Sequence, residues 1–485
     1  MLKFRRLVLT GPLAALALIA ELQGQAGAID SVNAPRPIPL TRPEMKQYLE
    51  DMKGRAQRIP LPELTDADKE KLGERGGGYE GRLRYHYMQS GEGQGPGGGG
   101  RGGGAGAGGG GFGRDNDPDN TLDYAFKVQL FWIVSRTNNC QYCLGHQESK
   151  LLGAGMTEDE IAALDGDWSQ HTPAQRTAYG FARKFTYEPQ NLNDADIDGL
   201  RKYYTDKQIL EMILSMAGNN SINRWKEGAG IPQSSGGGNF GNRRPGGEPA
   251  AEQPARPAPT SHSYLTPTHE KFQKSITKVA PVVLDPSGKV TQNTECHRPP
   301  LESRAEVEKA LATVRQRNPR LPLVADEKAR DLVPEGFPEG PLPQWVRLLA
   351  NFPNSAKGRI GSIRSAEDRN DLTPLLKAQV SWIIARQDRA WYAVAQAKQR
   401  LKDLGCSDDQ VYSLDGDWST YTPAERSLFN LARKLAASPV VLTDADVAEA
   451  VKEAGPRQVV QAISYTTNRA SFDRITESAG LRAEQ

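Results

Sequence analysis

Apolar residues in this chain occur in helix-length runs, and the segments around them carry helix-capping residues. DYAFKVQLFWIVSRT, which begins at Asp123, is a mostly apolar run of helix length. TEDEIAAL follows with Thr157 as N-cap and Glu160 three residues later, and TPAQRTAYGFARKF has Pro173 in the first helical position after Thr172. NDADIDGLRKYY and DKQILEMILSMAGNNSINRWKEGAG complete the set. No segment shows the sustained alternation of a strand, so the pattern predicts an all-α fold.

The helical pattern occurs twice. LDGDWSQHTPAQRTAYGFARKF returns 250 residues later as LDGDWSTYTPAERSLFNLARKL, and this offset holds without a gap from Lys127 to Gly230. A weaker match, TRPEMKQYLEDMKGRAQRIPL against SRAEVEKALATVRQRNPRLPL, precedes it at an offset of 262. The sequence therefore indicates a tandem duplication, with two helical bundles expected at residues 34–232 and 296–485.

Two low-complexity stretches interrupt these bundles. The glycine-rich residues 91–113 occur only in the first copy and have too few apolar groups to offset the entropy of ordering them. Residues 233–262, rich in glycine and proline, have the composition of a flexible linker. We expect the first stretch to be an insert within the first bundle and the second to be a disordered linker between the bundles.

Charge and the first residues bear on where the protein works. The 61 basic and 59 acidic residues nearly cancel, and no basic run is interleaved with aromatic residues, so we expect no nucleic-acid partner. Residues 1–28 combine basic side chains, an apolar run and the small-residue pattern Ala26-Gly27-Ala28 of a signal peptide. Export to the periplasm or outside the cell is predicted; the alternative is a membrane anchor formed by an uncleaved signal.

The segment NNCQYCLGHQES holds two of the chain's four cysteines and one of its six histidines. Cys140, Cys143 and His146 are spaced i, i+3, i+6, which on a helix sweeps an arc of about 120°. A helix N-terminus and a nearby imidazole both favour thiolate, and thiols three residues apart can close a disulfide. This spacing predicts a redox pair. The alternative is that both cysteines are small buried core residues.

The second copy serves as an internal control for this segment. Ala390, Ala393 and Gln396 stand where the first copy has its two cysteines and its histidine. The fold therefore does not need these three groups. Loss of the polar histidine together with both thiols favours a chemical role over a packing role.

Metal and haem are weaker interpretations of the motif. Covalent haem attachment needs histidine directly after the second cysteine, and Leu144 and Gly145 intervene. Zinc lacks an evident fourth ligand, and there is no second C-x-x-C. We therefore expect neither a metal nor a cofactor.

The motif NNCQYCLGH, the helices after it and the closing NNSINRWKEGAGIP resemble the alkyl hydroperoxidase D-like branch of the carboxymuconolactone decarboxylase superfamily. The second copy resembles it in degenerate form. The resemblance implies an oligomerising all-helical thiol peroxidase in which Cys143 attacks peroxide, Cys140 resolves and His146 relays protons. Family members carry a glutamate before the pair; Gln129 occupies that region here, and Glu148 is the nearest acid. Both are candidate auxiliary residues.

These observations predict an exported thiol-dependent peroxidase or disulfide oxidoreductase, acting on a hydroperoxide and restored by a thiol reductant. Two alternatives stay open: a non-catalytic binding or scaffold protein of the same fold, and a decarboxylase-type enzyme of small molecules. The two copies are expected to form an intramolecular pseudo-dimer, with homo-oligomers as a further expectation.

Overall fold

The computed structural model describes residues 33–76, 78–88, 117–166, 168–233, 264–273, 300–368 and 371–484. Within these ranges the chain forms nineteen α-helices and two short 3₁₀ helices and contains no strand, which confirms the all-α prediction. The predicted signal peptide, the glycine-rich insert and all of the predicted linker except Gln233 lie outside the described residues. Across the described ranges, none of the helices is both long enough and apolar enough to cross a membrane.

Ten α-helices precede residue 300. They are α1 (Arg42–Asp51), α2 (Asp66–Gly76), α3 (Tyr79–Tyr87), α4 (Tyr124–Thr137), α5 (Gln141–Gly153), α6 (Glu158–Ala163), α7 (Pro173–Tyr187), α8 (Asp194–Arg201), α9 (Asp206–Ala229) and α10 (Glu270–Gln273). The 3₁₀ helices are Met52–Gly54 and Pro189–Asn191.

Nine α-helices follow. They are α11 (Arg304–Val314), α12 (Asp326–Arg330), α13 (Gln344–Leu349), α14 (Pro353–Asp368), α15 (Pro374–Asp388), α16 (Trp391–Asp403), α17 (Asp408–Ser413), α18 (Pro423–Ala436) and α19 (Asp444–Ser478).

The predicted capping residues set the helix ends. Thr157 accepts a hydrogen bond from the backbone of Glu160, whose carboxylate bonds back to Thr157, so α6 begins with a complete capping box. Thr172 caps α7 in the same way, with Pro173 in the first helical position. Helix α9 ends at Gly230, which has φ +67°, a left-handed conformation that glycine adopts without a steric cost.

Helices α4 to α9 and helices α15 to α19 follow the same order, and each helix from α15 to α19 begins 250 positions after its counterpart among α4 to α8. Non-glycine residues with positive φ recur at the same offset: Asn139 and Arg389 (57° and 53°), and Trp168 and Trp418 (60° and 59°). Helix α19 combines the counterparts of α8 and α9, and Gly455, with φ 81° and ψ 154°, marks the kink between them. The two series therefore share backbone detail as well as sequence.

The long helices α9 and α19 pack against each other at the centre of the molecule. Gly228 allows their close approach, since a Cβ there would lie 2.8 Å from a side-chain carbon of Ile463 and 3.1 Å from one of Leu435. Ser471 adds a hydrogen bond to the carbonyl of Ala217 at 2.7 Å. The centre of the molecule is thus shared between the two series of helices.

Contacts between the two series are reciprocal. Arg58 donates to the carbonyl of Leu442 at 3.3 Å, and Arg320 donates to the carbonyl of Leu192, the position equivalent to Leu442, at 3.0 Å. The same arginines pair with the first residues of the facing helices, Arg58 with Asp444 of α19 and Arg320 with Asp194 of α8. Each arginine thus contacts the equivalent carbonyl and the equivalent helix start in the other half of the chain.

A second reciprocal pair lies in the core. Arg224 donates to the carbonyl of Ala436 at 2.8 Å, and its counterpart Arg474 donates to the carbonyl of Thr186 at 3.0 Å. Both guanidinium groups are fully buried. Arg474 also forms an ion pair with Asp388, with 2.7 Å between Nη1 and Oδ2, and both side chains are 0 % exposed. Buried charges of this kind depend on their partners, because the alternative is an unpaired charge without water.

Candidate functional site

The turn between α4 and α5 positions the thiols. Asn139 adopts the left-handed conformation, and the backbone N–H of Cys140 donates to the carbonyl of Ser135 at 2.9 Å. The Asn138 side chain donates to Asn223 of α9 at 3.0 Å, and the Asn139 side chain donates to the carbonyls of Arg36 and Pro37 at 3.2 Å. Asparagine suits this turn because it tolerates positive φ and can bond to nearby backbone groups.

Cys140 is the N-cap of α5 and Cys143 is its third helical residue. The sequence analysis predicted that both cysteines lie on the helix. In the structure Cys140 lies one position before the first helical residue, because the left-handed conformation of Asn139 changes the direction of the chain. The two sulfur atoms lie 2.6 Å apart, and the backbone N–H of Cys143 donates to the Cys140 sulfur at 3.4 Å. Cys140 is 0 % and Cys143 2 % exposed. Sulfur atoms this close need little movement to form a disulfide.

The environment keeps Cys140 in its thiol form. Burial raises the pKa of Cys140 well above its usual value, and the neighbouring Cys143 and the negative charge of Glu227 raise it further. The Cys143 N–H acts in the opposite direction because it stabilises a thiolate. Burial and the neighbouring groups therefore keep Cys140 protonated.

Glu227, on α9, is a carboxylate near the thiols that the sequence did not single out. It is buried, with 3.1 Å from its Oε2 to Arg55 and 3.5 Å to Arg36. Burial alone would raise its pKa, but the charges of Arg55, Arg36 and Arg58 hold the pKa of Glu227 below its usual value. An available signal was the recurrence of this glutamate as Glu477 in the second copy.

Glu477, the counterpart of Glu227, lies in the copy that has no cysteine pair. Glu477 accepts a hydrogen bond at 3.2 Å from the backbone N–H of Tyr392, in the first turn of α16. A carboxylate at this place satisfies a free donor at a helix start and opposes the positive end of the helix dipole. In the second copy the carboxylate therefore has a structural role, and in the first copy Glu227 adds a negative charge near Cys140.

His146 lies one turn after Cys143 on α5 and is partly exposed. Its ring packs edge-on against Tyr142, with 4.6 Å between the ring centres. The Nζ of Lys226 lies 4.4 Å from the centre of the Tyr142 ring. The helix thus places His146 on the Tyr142 side of α5, and its role in proton transfer stays a prediction.

Gln129 is engaged with groups from outside α5. Its side-chain oxygen accepts a hydrogen bond from the Tyr179 hydroxyl, and its Nε2 lies 3.5 Å from the sulfur of Met156. Desolvation raises the pKa of Tyr179 above its usual value, so this hydroxyl stays protonated and donates the hydrogen bond. An auxiliary role for Gln129 at the thiols stays a prediction.

Glu148 anchors α1 to α5. Arg42 holds its two carboxylate oxygens at 2.6 and 3.0 Å, and Trp132 donates to it at 3.3 Å. Burial by itself would raise the pKa of Glu148, but the charges of Arg42 and Lys46 and the hydrogen bonds from Arg42 and Trp132 hold it below its usual value. This carboxylate is held ionised by its partners, and its auxiliary role stays a prediction.

The second copy keeps the backbone of the thiol site without its chemistry. Ala390 is the N-cap of α16 with φ −81° and ψ 85°, against −87° and 91° for Cys140. Ala390 and Ala393 are fully buried, and Gln396 donates to the Tyr392 hydroxyl at 3.2 Å. The same turn therefore forms whether its side chains are alanine methyl groups, as in the second copy, or cysteine thiols, as in the first.

Gly145 of α5 marks a close contact with two residues from later in the chain. A Cβ at Gly145 would lie 2.8 Å from Gln233 Nε2 and 2.8 Å from the Tyr264 hydroxyl, and these two groups bond to each other at 2.6 Å. We expect Gly145→Ala to lower the free energy of unfolding by about 1–3 kcal/mol, because the two groups must separate or move. Urea titration measures this change.

Gly153→Ala is the matched control, since Gly153 ends the same helix and a Cβ there meets nothing within 4 Å. Equal free energies of unfolding for the two alanine variants would show that Gln233 and Tyr264 move away from position 145 without loss of stability.

Among the described residues, no group of three or more histidine, cysteine, aspartate or glutamate side chains could hold a metal ion. Comparison of the chain with protein-family models and with curated proteins gives no match in either case.

Proposed function

We propose that the protein is a thiol-dependent hydroperoxide reductase, or more broadly a thiol–disulfide oxidoreductase, with Cys140 and Cys143 as its redox pair. The observation that carries this proposal is the distance of 2.6 Å between the two sulfur atoms at the start of α5. The resemblance of NNCQYCLGH and the helices after it to the alkyl hydroperoxidase D-like branch points to the same chemistry.

The pKa environment supports a division of labour between the thiols. Cys140 holds its proton through burial and the nearby negative charge of Glu227, which suits a resolving thiol. Cys143 is the third residue of α5, and the resemblance implies the peroxide-attacking role for it. Cys143 is therefore the attacking residue in this proposal, and His146 is placed one turn later to move protons.

The cycle balances in three steps. The Cys143 thiolate attacks the terminal peroxide oxygen, the O–O bond breaks, and the alkoxide takes up a proton to leave as alcohol while Cys143 becomes a sulfenic acid. The Cys140 sulfur then attacks that sulfenic sulfur, and hydroxide leaves with the Cys140 proton as water. An external thiol reductant supplies the two electrons and two protons that convert the disulfide back to two thiols.

Differential alkylation tests the proposal directly. The full chain is treated with one equivalent of hydroperoxide, denatured and alkylated with iodoacetamide, then reduced and alkylated again with a heavy-isotope reagent. We expect Cys140 and Cys143 to carry the heavy label only after peroxide treatment. Cys406, a half-buried free cysteine, is the internal control and should be labelled equally with and without peroxide. If the pair takes no heavy label after peroxide, the redox proposal fails.

We also propose that the chain is an intramolecular pseudo-dimer of two bundles of the alkyl hydroperoxidase D-like type, in which the second is a structural partner. The reciprocal contacts of Arg58 with the carbonyl of Leu442 and of Arg320 with the carbonyl of Leu192 support this arrangement. Ala390, Ala393 and Gln396 leave the second bundle without a nucleophile or a base at the equivalent place.

Co-expression of separate fragments tests the pseudo-dimer. Because α9 and α19 bury large parts of their surfaces on each other, we expect fragments 33–233 and 300–484 to elute together and each alone to aggregate or self-associate. Analytical ultracentrifugation distinguishes these states. Two stable monomeric fragments that do not associate when mixed would contradict the arrangement.

A further inference from the structure

The second half of the molecule contains a cavity of about 440 Å³ between α13, α14, α15, α16 and α19. This volume falls within the usual range of small-molecule sites. Gln396, which occupies the position of His146, lies on its wall. The cavity is therefore on the side of the second copy that corresponds to the histidine side of the thiol helix.

Two exchanges between the copies account for the space. Ser381 and Ala397 line the cavity, and the first copy has Phe131 and Gln147 at these positions. Both first-copy side chains are buried, and Gln147 donates to Asn219 at 3.3 Å. A serine and an alanine on the same backbone leave empty the volume that an aromatic ring and an amide fill in the first copy.

A third exchange brings positive charge to the cavity. Arg469 replaces the Asn219 of the first copy, and Arg364 and Arg400 also line the wall. Two carboxylates, Glu367 and Asp368, face these three guanidinium groups, so the lining carries one surplus positive charge. A single negative charge would balance it.

Glu367 shows how the arginines hold a carboxylate. It forms an ion pair with Arg400, accepts from the Tyr465 hydroxyl at 2.9 Å, and lies 3.6 Å from Nη1 of Arg469. The Nε of Arg469 is buried and has no hydrogen-bond partner among the described residues. A guanidinium has five N–H donors, so Arg469 retains donors for a second acceptor.

Two aromatic side chains also line the cavity. Trp345 and Phe472 meet edge-on with 6.0 Å between ring centres, and the Arg469 guanidinium lies 4.4 Å from the centre of the Phe472 ring. Such a wall binds the apolar body of a ligand, while the arginine beside it takes the charged end.

We propose that this cavity is a binding site for a small organic monocarboxylate with an aromatic or branched apolar body. The carboxylate pairs with Arg469 and its neighbouring arginines, and the apolar body packs on Trp345 and Phe472. The site thus turns the thiol-free copy into a ligand-binding half. This proposal does not depend on the thiol chemistry of the first copy.

Titration of the full chain with benzoate, followed by ligand-observed NMR, tests the site, and benzamide serves as the neutral probe of the same shape. We expect saturable benzoate binding and at least tenfold weaker binding of benzamide. Arg469→Gln should weaken benzoate at least tenfold, whereas Arg315→Gln, which removes the same charge from an exposed position, should leave it unchanged.

A filled variant supplies the second test. Ser381→Phe with Ala397→Gln places the first copy's residues in the cavity and should abolish benzoate binding. Ala397→Gln alone should weaken it, which keeps the test decisive should the double variant not fold. Absence of saturable benzoate binding to the unmodified chain, or equal binding by the unmodified chain, Arg469→Gln and Ala397→Gln, would overturn the proposal.

Discussion

Cys143→Ser is expected to reduce peroxide consumption to the uncatalysed rate, because a serine hydroxyl in the first turn of α5 is not a nucleophile towards peroxide at neutral pH. Cys140→Ser keeps the attacking thiolate but removes its resolving partner. This variant should consume one equivalent of peroxide per chain and then stop with Cys143 as a sulfenic acid. The two sulfur atoms, 2.6 Å apart, would thus make different contributions to one cycle.

Peroxide consumed per chain before any thiol reductant is added, together with mass spectrometry after trapping with dimedone, distinguishes the two variants: Cys143→Ser should consume none and Cys140→Ser one equivalent. Cys406→Ser is the matched control, since it removes a half-buried thiol from outside the site and should retain full activity. The same residual activity in the Cys143 and Cys140 variants would contradict the assigned roles. A sulfenic acid trapped on Cys140 rather than Cys143 would reverse them.

Arg474→Gln is expected to lower the free energy of unfolding by about 3–5 kcal/mol, the usual cost of removing one partner from a buried ion pair. Arg474 and Asp388 are both 0 % exposed, and Arg474 also bonds to the carbonyl of Thr186 from the other series of helices. The substitution leaves the Asp388 carboxylate without its counter-charge in the core and removes a contact between the two series. Urea titration followed by circular dichroism measures the change.

The first copy suggests the control for this prediction. It has Asn138 at the place of Asp388 and keeps Arg224 at the place of Arg474, with 3.1 Å between the two side chains. Asp388→Asn therefore reproduces a pair that the molecule already accommodates, and it should cost clearly less than Arg474→Gln. Similar losses of unfolding free energy in both variants would show that the core requires the negative charge of Asp388 and not only a hydrogen-bonding partner for Arg474.

Much of the fold could be predicted from local sequence. The capping box of Thr157 and Glu160 and the Thr172-Pro173 start of α7 are short-range signals, and both were confirmed. They act within one helical turn, so a single sequence contains them in full. Because the second copy repeats the first at an offset of 250 residues, the helix order predicted for the first series also applies to the second.

Contacts between distant segments could not be predicted in this way. Glu148 and Arg42 lie 106 positions apart, and Arg55 and Glu227 lie 172 apart. Neither pair has a spacing that marks it, because the packing of whole helices brings the partners together. The carboxylate beside Cys140 was missed for this reason: Glu227 reaches the thiols from α9 rather than from the helix before them.

The left-handed turn before Cys140 has a consequence for protein engineering. Arg389 holds the same turn in the second half, and Ala390 has nearly the same φ and ψ as Cys140. Because this backbone already holds two β-carbons in the geometry of the cysteine pair, two cysteines can be introduced there without a change of the turn. Ala390→Cys with Ala393→Cys would install one 250 positions from the original, and the pair of sites would separate what the turn contributes to redox potential from what its surroundings contribute.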